Sequence, residues 1–584
     1  MTWRPGTIHQ FILAAAALIL YFPTLDYPFQ FDGVKEIRDN QAIADIGDLG
    51  RIWNYNPSRF IVFLSFAFNR HFGGDDTFGY HLVNISLHLA NTLLLYHLIA
   101  LLFATSTPAG RDYDGANAGG WAAFAAALIF AVHPLQTEAV TYIWQRSSSM
   151  GAMFYLISML AYLKASLSWR ESAPPVRWMG WLAFSVISAI AGMFTKQFCF
   201  TIFFAAALLE YCVVSRSWRG LREKAFMLWP LAPTLAIVPF LTFFYARGEI
   251  ADITARAAET PTPYSYFLTQ LNIITLYLRL FIYPSGQNLD HDIPISASFF
   301  SSAPSFVLLA ALLALGFWLW RSSPMASFGI FFFFVSMSVE SSFFPLPDIV
   351  FEHRMYLPLA GLLITMAALA RMSPRASIIM AAALAGSIAL SVATWQRNGV
   401  WATPQSLWED VVSKSPQKWR GYLKLGAIHK RQGNWAEAEK MYEQVVRLAP
   451  GVAEANHDLG VLKKMAGDLE TAEKLFQNAL KLKPSLYVSS LELGRLHMEQ
   501  KRLEEAQQDF ALVTQTEPRF FLGWYFLGRS LEELGKMAEA QRAYQQALAL
   551  RPENAELPGR LARVKQAQDL GQNPKDAPSS SPPR

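Results

Sequence analysis

The sequence predicts an all-α protein in which a polytopic helical membrane domain is followed by an α-solenoid of short repeats. Of the 584 residues, 52% are hydrophobic and 16% are charged, which is not the balance of a soluble protein. The apolar residues are concentrated before residue 400, whereas Trp408 to Leu570 is polar and contains prolines at a regular interval. Two architectures therefore share one chain.

Composition also excludes some functions. The formal net charge of +5 is small for this length, so nucleic-acid binding is not predicted. Cys199 and Cys212 fall in one apolar stretch, which indicates buried thiols rather than a disulfide or a metal pair. No small-residue cleavage site follows the apolar segment from His9 to Leu25, so we interpret it as an uncleaved first membrane helix.

Hydropathy predicts about eleven membrane spans within a membrane domain at 1–400. They cover residues 9–25, 80–103, 121–133, 149–168, 178–194, 198–214, 226–245, 303–320, 326–344, 356–371 and 376–394. A further stretch from Tyr264 to Tyr283 carries Gln270, Asn272 and Arg279 among apolar residues. This stretch either crosses the membrane or lies at its surface, and it decides the orientation of everything after it.

Basic residues in short loops favour the cytoplasmic side of a membrane. If the N-terminus is cytoplasmic and 264–283 does not cross, the short-loop arginines that become cytoplasmic are Arg170, Arg177, Arg216, Arg219, Arg222, Arg321, Arg371 and Arg375. We therefore predict a multi-pass protein of the cell (inner) membrane, embedded among its lipids, with the repeats outside the cytoplasm. If 264–283 crosses, Arg321, Arg371 and Arg375 move outside and the repeats become cytoplasmic.

A regular array of repeats occupies the predicted second domain, at 401–570. Prolines recur every 34 residues, at Pro416, Pro450, Pro484, Pro518 and Pro552. Thirty-four residues is the period of the tetratricopeptide repeat, a pair of antiparallel helices. We predict a half-repeat from Ser406 to Pro416, containing Trp408, and then four full repeats at 417–450, 451–484, 485–518 and 519–552.

The positions inside each repeat agree with this assignment. A Leu-Gly pair lies on each predicted first helix, at Gly426, Gly460, Gly494 and Gly528. An alanine and, four residues later, an aromatic residue lie on each second helix, at Ala438/Tyr442, Ala472/Phe476, Ala506/Phe510 and Ala540/Tyr544. Leu557 to Leu570 is predicted to be a capping helix, and the Pro/Ser-rich tail at 571–584 to be disordered.

Ionisable residues beside membrane spans are costly and often mark function. In the predicted topology, acidic residues and cations collect on the outer face. Such a mixture suits a reaction between a charged lipid head group and a hydroxyl, in which a carboxylate is the base and cations hold the leaving phosphate. The alternative is that these are ordinary solvated loop charges. A metal site at Asp290-His291-Asp292 is weakly indicated, because mixed Asp and His fits many other roles.

Five segments in order carry a resemblance to a known family: Phe31 to Asn40, Gly79 to His88, Phe130 to Val140, Thr195 to Gln197, and Glu352 to Pro358. With the repeats, they resemble the transmembrane and tetratricopeptide-repeat-containing protein O-mannosyltransferases and their bacterial relatives. That family belongs to the GT-C class of glycosyltransferases, so the resemblance implies a GT-C-like membrane domain.

The resemblance implies an inverting transfer of a sugar from a polyprenyl-phosphate donor to an acceptor hydroxyl on the extracytoplasmic face. We expect no cofactor and assign no residue to a metal, while metal dependence stays open. It makes Asp32 the catalytic base. The sequence departs from the family in having Gly33 where a second Asp is common, and Gln197 where Glu often follows the lysine. Donor sugar and acceptor do not carry over.

The remaining roles follow from this hypothesis. The donor-phosphate-binding residues are expected to be Arg59, Arg146, Lys196 and Arg354. The residues expected to shape the site are Glu36, His133, Glu138, Glu352 and His353. The concave face of the repeats would present an acceptor protein or glycan. The alternative hypothesis is a non-enzymatic membrane scaffold that recruits partners through its repeats.

Overall fold

The computed structural model describes residues 5–106, 114–245, 261–346 and 348–569. Within these ranges the regular elements are helices and no strand occurs, which confirms the predicted all-α class. The chain divides into two compact units, Met1–Lys414 and Ser415–Arg584. The helix Pro404–Lys414, predicted to open the repeat array, belongs to the first unit. The tail at 571–584 lies outside the described residues.

The first unit is a bundle of apolar helices around a large buried core. Its helices of nine or more residues are Pro5–Tyr21, Phe60–Gly73, Thr77–Ser106, Asp114–Val132, Arg146–Arg170, Pro175–Met193, Ile237–Tyr245, Pro263–Ile282, Phe299–Ser322, Pro324–Met337, Pro358–Met372, Ala376–Val400 and Pro404–Lys414. Both cysteines are buried and unpaired among them.

Nine helical segments of the described chain are long and apolar enough to cross a membrane, so the protein is multi-pass. Each of the eleven predicted spans has a helical counterpart. Pro324–Met337 and Pro358–Met372 are shorter than a straight span requires, since 14 residues rise only about 21 Å. Pro263–Ile282 is among the nine, so its length and composition allow a crossing.

One predicted span is sharply bent. Helix Gly119–Val132 and the segment Pro134–Val140 meet at an angle of 54°. Pro134 has no backbone N–H for the helical ladder, and Leu135 N donates instead to His133 Nδ1 at 3.1 Å. Glu138 lies in the segment after this bend.

The second unit consists of paired helices. They are Trp419–Arg431 with Trp435–Leu448, Ala453–Met465 with Leu469–Leu482, Tyr487–Glu499 with Leu503–Thr516, and Phe521–Glu533 with Met537–Leu550, followed by Glu556–Asp569. A Cβ added at Gly460 would lie 2.8 Å from the Phe476 ring, and at the three equivalent glycines the distance is 2.8 Å or less. The repeated glycine is therefore required by the contact between the paired helices.

Candidate functional site

Asp32 lies on the first loop, half-buried, with its backbone held by an aromatic cluster. Its N–H donates to the hydroxyl of Tyr142 at 3.0 Å. Phe31 has a φ of 46°, a left-handed value that is costly for a bulky residue. The Phe31 ring packs edge-on against Trp408, with 5.7 Å between ring centroids. Strained backbone of this kind persists where its surroundings over-determine it and is often found at functional sites.

Glu36 has different neighbours from Asp32. Its carboxylate accepts a hydrogen bond of 2.8 Å from the hydroxyl of Tyr55 and lies 3.5 Å from Lys35 Nζ. Both contacts are local to the first loop. Glu36 is thus engaged within its own loop.

Glu138 organises the segment that precedes helix Pro358–Met372. Its Oε2 accepts from the backbone N–H groups of Glu352 and His353, at 2.8 and 3.2 Å. Its Oε1 accepts from His353 Nδ1 at 2.7 Å. One buried carboxylate therefore fixes the backbone and the imidazole of residues more than 200 positions later in the chain.

Glu352 has an equally complete set of donors. It accepts from the N–H of Asn288 at 2.7 Å, from Gln287 Nε2 at 2.6 Å and from His291 Nε2 at 2.9 Å. Burial alone would raise the pKa of Glu352, but the hydrogen bond from His291 and nearby positive charge hold it below its usual value. His291, considered as a metal ligand from sequence, is thus bound to a carboxylate.

Lys196 is buried and is influenced by two other cations, Arg59 and Arg354. Its Nζ donates to Ser148 Oγ at 2.7 Å and lies 3.2 Å from Glu340 Oε1. Burial lowers the pKa of Lys196, and the charges of Arg59 and Arg354 lower it further, whereas Glu340 raises it. Three of the four cations expected to bind phosphate are therefore close enough to influence one another.

His353 lies beside the same cations. Burial lowers the pKa of its imidazole well below the usual value, and the charges of Lys196, Arg354 and Arg59 lower it further. His353 is therefore neutral at pH 7 and links the Glu138 contacts to the group around Lys196.

The remaining cations differ in their contacts. Arg354 donates to the carbonyl oxygens of Ile349 and Asp348 at 2.8 and 2.6 Å, so it also braces its own loop. The Arg59 guanidinium lies over the ring of Trp144, 5.1 Å from its centroid. Arg59 is half-buried, which leaves it partly accessible from solvent.

Arg146 is set apart from this group by its hydrogen bonds. It is fully buried, and it donates to Asn84 Oδ1, Ser65 Oγ and the carbonyl of Tyr80 at 2.8, 3.0 and 2.9 Å. All three nitrogens of the guanidinium are thus directed at protein acceptors. This geometry joins three helices, and the expected role of Arg146 in phosphate binding stays a prediction.

His133 is likewise engaged within the fold. Its Nε2 donates to the carbonyl of Phe281 at 3.0 Å, and its Nδ1 accepts from Leu135 N. Its ring stacks on Phe281. His133 therefore shapes the bend before Glu138.

Sequence reasoning missed the contribution of helix Pro263–Ile282. Its Tyr277 hydroxyl donates to the carbonyl of Phe351 at 2.7 Å and accepts from the N–H of the same residue at 3.2 Å. Gln270 donates to Ile349 O at 2.9 Å, and Tyr266 donates to Glu340 O at 3.3 Å. The helix that left the topology undecided thus holds the loop that carries Glu340 and Arg354.

Glu340 was also missed, although a signal was present. It falls inside the stretch 326–344, predicted as a span, where an acidic residue is costly and marks function.

The described residues that come closest to a metal-ligand set lie in the repeats, at Glu473, His497 and Glu505. Arg502 donates to Glu473 at 2.8 Å and also contacts Glu505. A guanidinium therefore already satisfies these carboxylates.

Family models of known proteins match the second unit. Tetratricopeptide-repeat family models match residues 420–485, 463–520 and 521–554. Among solved structures, the crystal structure of MamA protein covers 28% of this chain and 88% of its own, with a TM-score of 0.24 and 21% identity. YrrB, a TPR protein with an unusual peptide-binding site, covers 29% and 82%, with a TM-score of 0.24 and 18% identity.

The curated relatives with similar sequences are each named as a protein O-mannosyl-transferase. Protein O-mannosyl-transferase Tmtc2 of Drosophila melanogaster is 27% identical over 299 residues, 47% of this chain and 29% of that protein. Xenopus laevis tmtc2 is 32% identical over 170 residues, 27% and 19% of the two chains. Human TMTC2 is 29% identical over 222 residues, 36% and 24%. The matches thus span less than a third of the length of these relatives.

Fold and comparisons together define a polytopic helical membrane protein that carries a tetratricopeptide-repeat solenoid. The family resemblance inferred from the five motif segments is confirmed by these relatives. The chain is a relative of the TMTC protein O-mannosyl-transferases.

Proposed function

We propose that this protein is an integral membrane glycosyltransferase that moves a sugar from a polyprenyl-phosphate donor to an acceptor hydroxyl, as in protein O-mannosylation. The observation that carries the proposal is the group of cations around Lys196, where Arg59 and Arg354 act on the same buried ammonium. A phosphate is the ligand that such a group suits, because charge-assisted hydrogen bonds to phosphate oxygens offset the cost of gathering like charges. The named relatives supply the reaction class.

The reaction is an inverting displacement at the anomeric carbon of the donor sugar. The acceptor oxygen forms a bond to that carbon as the bond from carbon to the phosphate oxygen breaks. The hydroxyl proton passes to the carboxylate of Asp32, and the electron pair of the broken bond stays on the polyprenyl phosphate. Lys196, Arg59 and Arg354 stabilise the charge that develops on the leaving phosphate.

Other residues position this machinery. Glu138 accepts three hydrogen bonds from Glu352 and His353, which hold the loop before Arg354. Glu352 accepts three more from the segment 287–291, which hold its own carboxylate in place. Tyr142 holds the backbone of Asp32 at 3.0 Å. Three N–H groups of Arg146 donate to protein acceptors, so we assign Arg146 a role in holding the fold.

The side of the membrane and the acceptor complete the proposal. We assign the site and the repeats to the extracytoplasmic face, because the loop arginines at Arg321, Arg371 and Arg375 are then cytoplasmic. Stacked helix pairs form a concave surface that suits an extended protein segment. The repeats would bind the acceptor protein or a glycan-bearing partner there.

The test is incubation of the purified full-length protein with a panel of polyprenyl-phosphate sugars and peptide acceptors. The expected result is release of polyprenyl phosphate and a glycosylated acceptor, both lost in Lys196→Gln. Absence of transfer with every donor, together with capture of protein partners by the repeats, would instead support the scaffold hypothesis.

A further inference from the structure

Glu340 lies beside Lys196, one of the cations that we propose to bind the donor phosphate. Its Oε1 lies 3.2 Å from Lys196 Nζ, and the same ammonium donates a hydrogen bond to Ser148 Oγ at 2.7 Å. The Lys196 side chain is 3% exposed and that of Glu340 is 15% exposed. Of the two paired side chains, Glu340 is therefore the more exposed.

Two further cations act on Lys196. Arg59 and Arg354 add positive charge, and Glu340 is the carboxylate that contacts Lys196 among the described residues. Glu138 and Glu352 are engaged by their own donors. An anionic group is therefore the ligand that suits this cluster, and Glu340 supplies that group in the structure.

The backbone at Glu340 leaves its side chain free to turn. Helix Pro324–Met337 ends before it, and Ser338–Leu346 consists of turns and irregular backbone. The backbone carbonyl of Glu340 is held by Tyr266 at 3.3 Å. The carboxylate can therefore leave Lys196 by side-chain rotation, without breaking a helix.

We propose that the Glu340 carboxylate occupies the subsite of the donor phosphate, formed by Lys196 and Ser148, and that the phosphate binds by displacing it. This inference rests on the proposed function. Glu340 would be a specificity-determining residue for anionic ligands: it satisfies Lys196 in the empty site, excludes weakly held anions, and competes with the product phosphate so that the product leaves.

The proposal predicts that a substitution at Glu340 affects phosphate binding and turnover differently. Glu340→Gln keeps the shape of the side chain but removes the competing charge. We expect binding of polyprenyl phosphate to tighten by about tenfold or more, the scale of one charge-assisted hydrogen bond. KM for the donor should fall, while kcat stays level or falls as product release slows.

The experiment titrates the purified full-length protein, in nanodiscs, with polyprenyl phosphate and separately with inorganic phosphate. If Glu340→Gln binds both ligands more tightly than the wild type does, the site recognises the phosphate group itself. If only polyprenyl phosphate binds more tightly, the ligand of the site is the lipid-borne phosphate. The matched control is Glu223→Gln, which removes an acid paired with Arg219 at 3.0 Å on an exposed helix and should leave binding unchanged.

Two further variants keep the test decisive. Glu340→Asp withdraws the carboxylate by one methylene and should tighten binding in the same direction, even if Glu340→Gln folds poorly. In a Lys196→Gln background, Glu340→Gln should no longer tighten binding, because the shared contact is gone. If the wild type binds the lipid phosphate and transfers sugar, unchanged or weaker binding in both Glu340→Gln and Glu340→Asp would overturn the inference. Absence of lipid-phosphate binding in the wild type would overturn the proposed function itself.

Discussion

Gly528, on the first helix of the fourth repeat, tests the packing argument directly. A Cβ at this position would lie 2.5 Å from Cε1 and 2.6 Å from Cδ1 of Tyr544. The Tyr544 ring is fully buried, and its hydroxyl donates to Glu532 at 2.6 Å. The ring therefore cannot retreat from the new methyl group without losing that hydrogen bond.

The expected cost of Gly528→Ala follows from two opposing effects. Overpacking costs about 1–3 kcal/mol, and the tethered ring favours the upper part of that range. Alanine gains about 1 kcal/mol over glycine in a helix interior. The net result is a loss of about 2 kcal/mol from the local stability of the fourth repeat.

A second glycine provides the matched control. Gly559 lies inside the helix Glu556–Asp569, and a Cβ added there meets no atom within 4 Å. Gly559→Ala should therefore keep the propensity gain alone and stabilise its helix by about 1 kcal/mol. The same substitution is thus expected to have opposite signs at two sites in one unit.

Hydrogen exchange followed by mass spectrometry on the full-length protein measures both effects. Amides of Phe521–Glu533 and Met537–Leu550 should exchange faster in Gly528→Ala. Amides of the last helix should exchange more slowly in Gly559→Ala. If Gly528→Ala protects the repeat as well as the wild type does, close packing is not the reason for its glycine.

Three further predictions concern chemistry, pH and topology. Asp32→Asn should lower sugar transfer about 100-fold or more while Glu36→Gln costs far less; equal rates for Asp32→Asn and wild type would remove Asp32 as the base. Burial alone lowers the pKa of His497, but its hydrogen bond to Asp509 and nearby acids raise it overall. Repeat stability, measured by denaturant titration, should therefore decline as pH rises from about 6.5 through that raised pKa, and a His497→Gln variant that kept the decline would contradict this. A cysteine at the exposed Glu470 should label in intact cells; labelling only after permeabilisation would refute an outward-facing array.

Much of the repeat unit could be predicted because its determinants are local and periodic. Gly460 and Phe476 are separated by half a repeat, and their contact recurs wherever the 34-residue pattern recurs. The third repeat adds a detail without such a signal: Lys501 adopts a φ of 61° where the equivalent Gly433, Gly467 and Gly535 adopt positive φ. A left-handed turn is thus imposed by the helix pair on either side, even on lysine.

In the membrane unit, the sequence predicted the helices but not the bend at His133. Apolar runs predicted helices at every expected span, because transfer of a continuous apolar segment from water depends on composition alone. The bend at His133 was outside that signal, since it depends on one missing N–H and one imidazole acceptor.

The sequence by itself determined the two architectures and the residue types available for chemistry. Only the tertiary structure decided which of them meet: Glu138 binds His353, Lys196 is paired with Glu340, and Arg146 is directed inward. These contacts join residues far apart in the chain, and their energies depend on burial and on distances of about 3 Å. Hydropathy and periodicity act over a few turns of helix and carry no information on such distances, so the partners of each charged group had to come from packing.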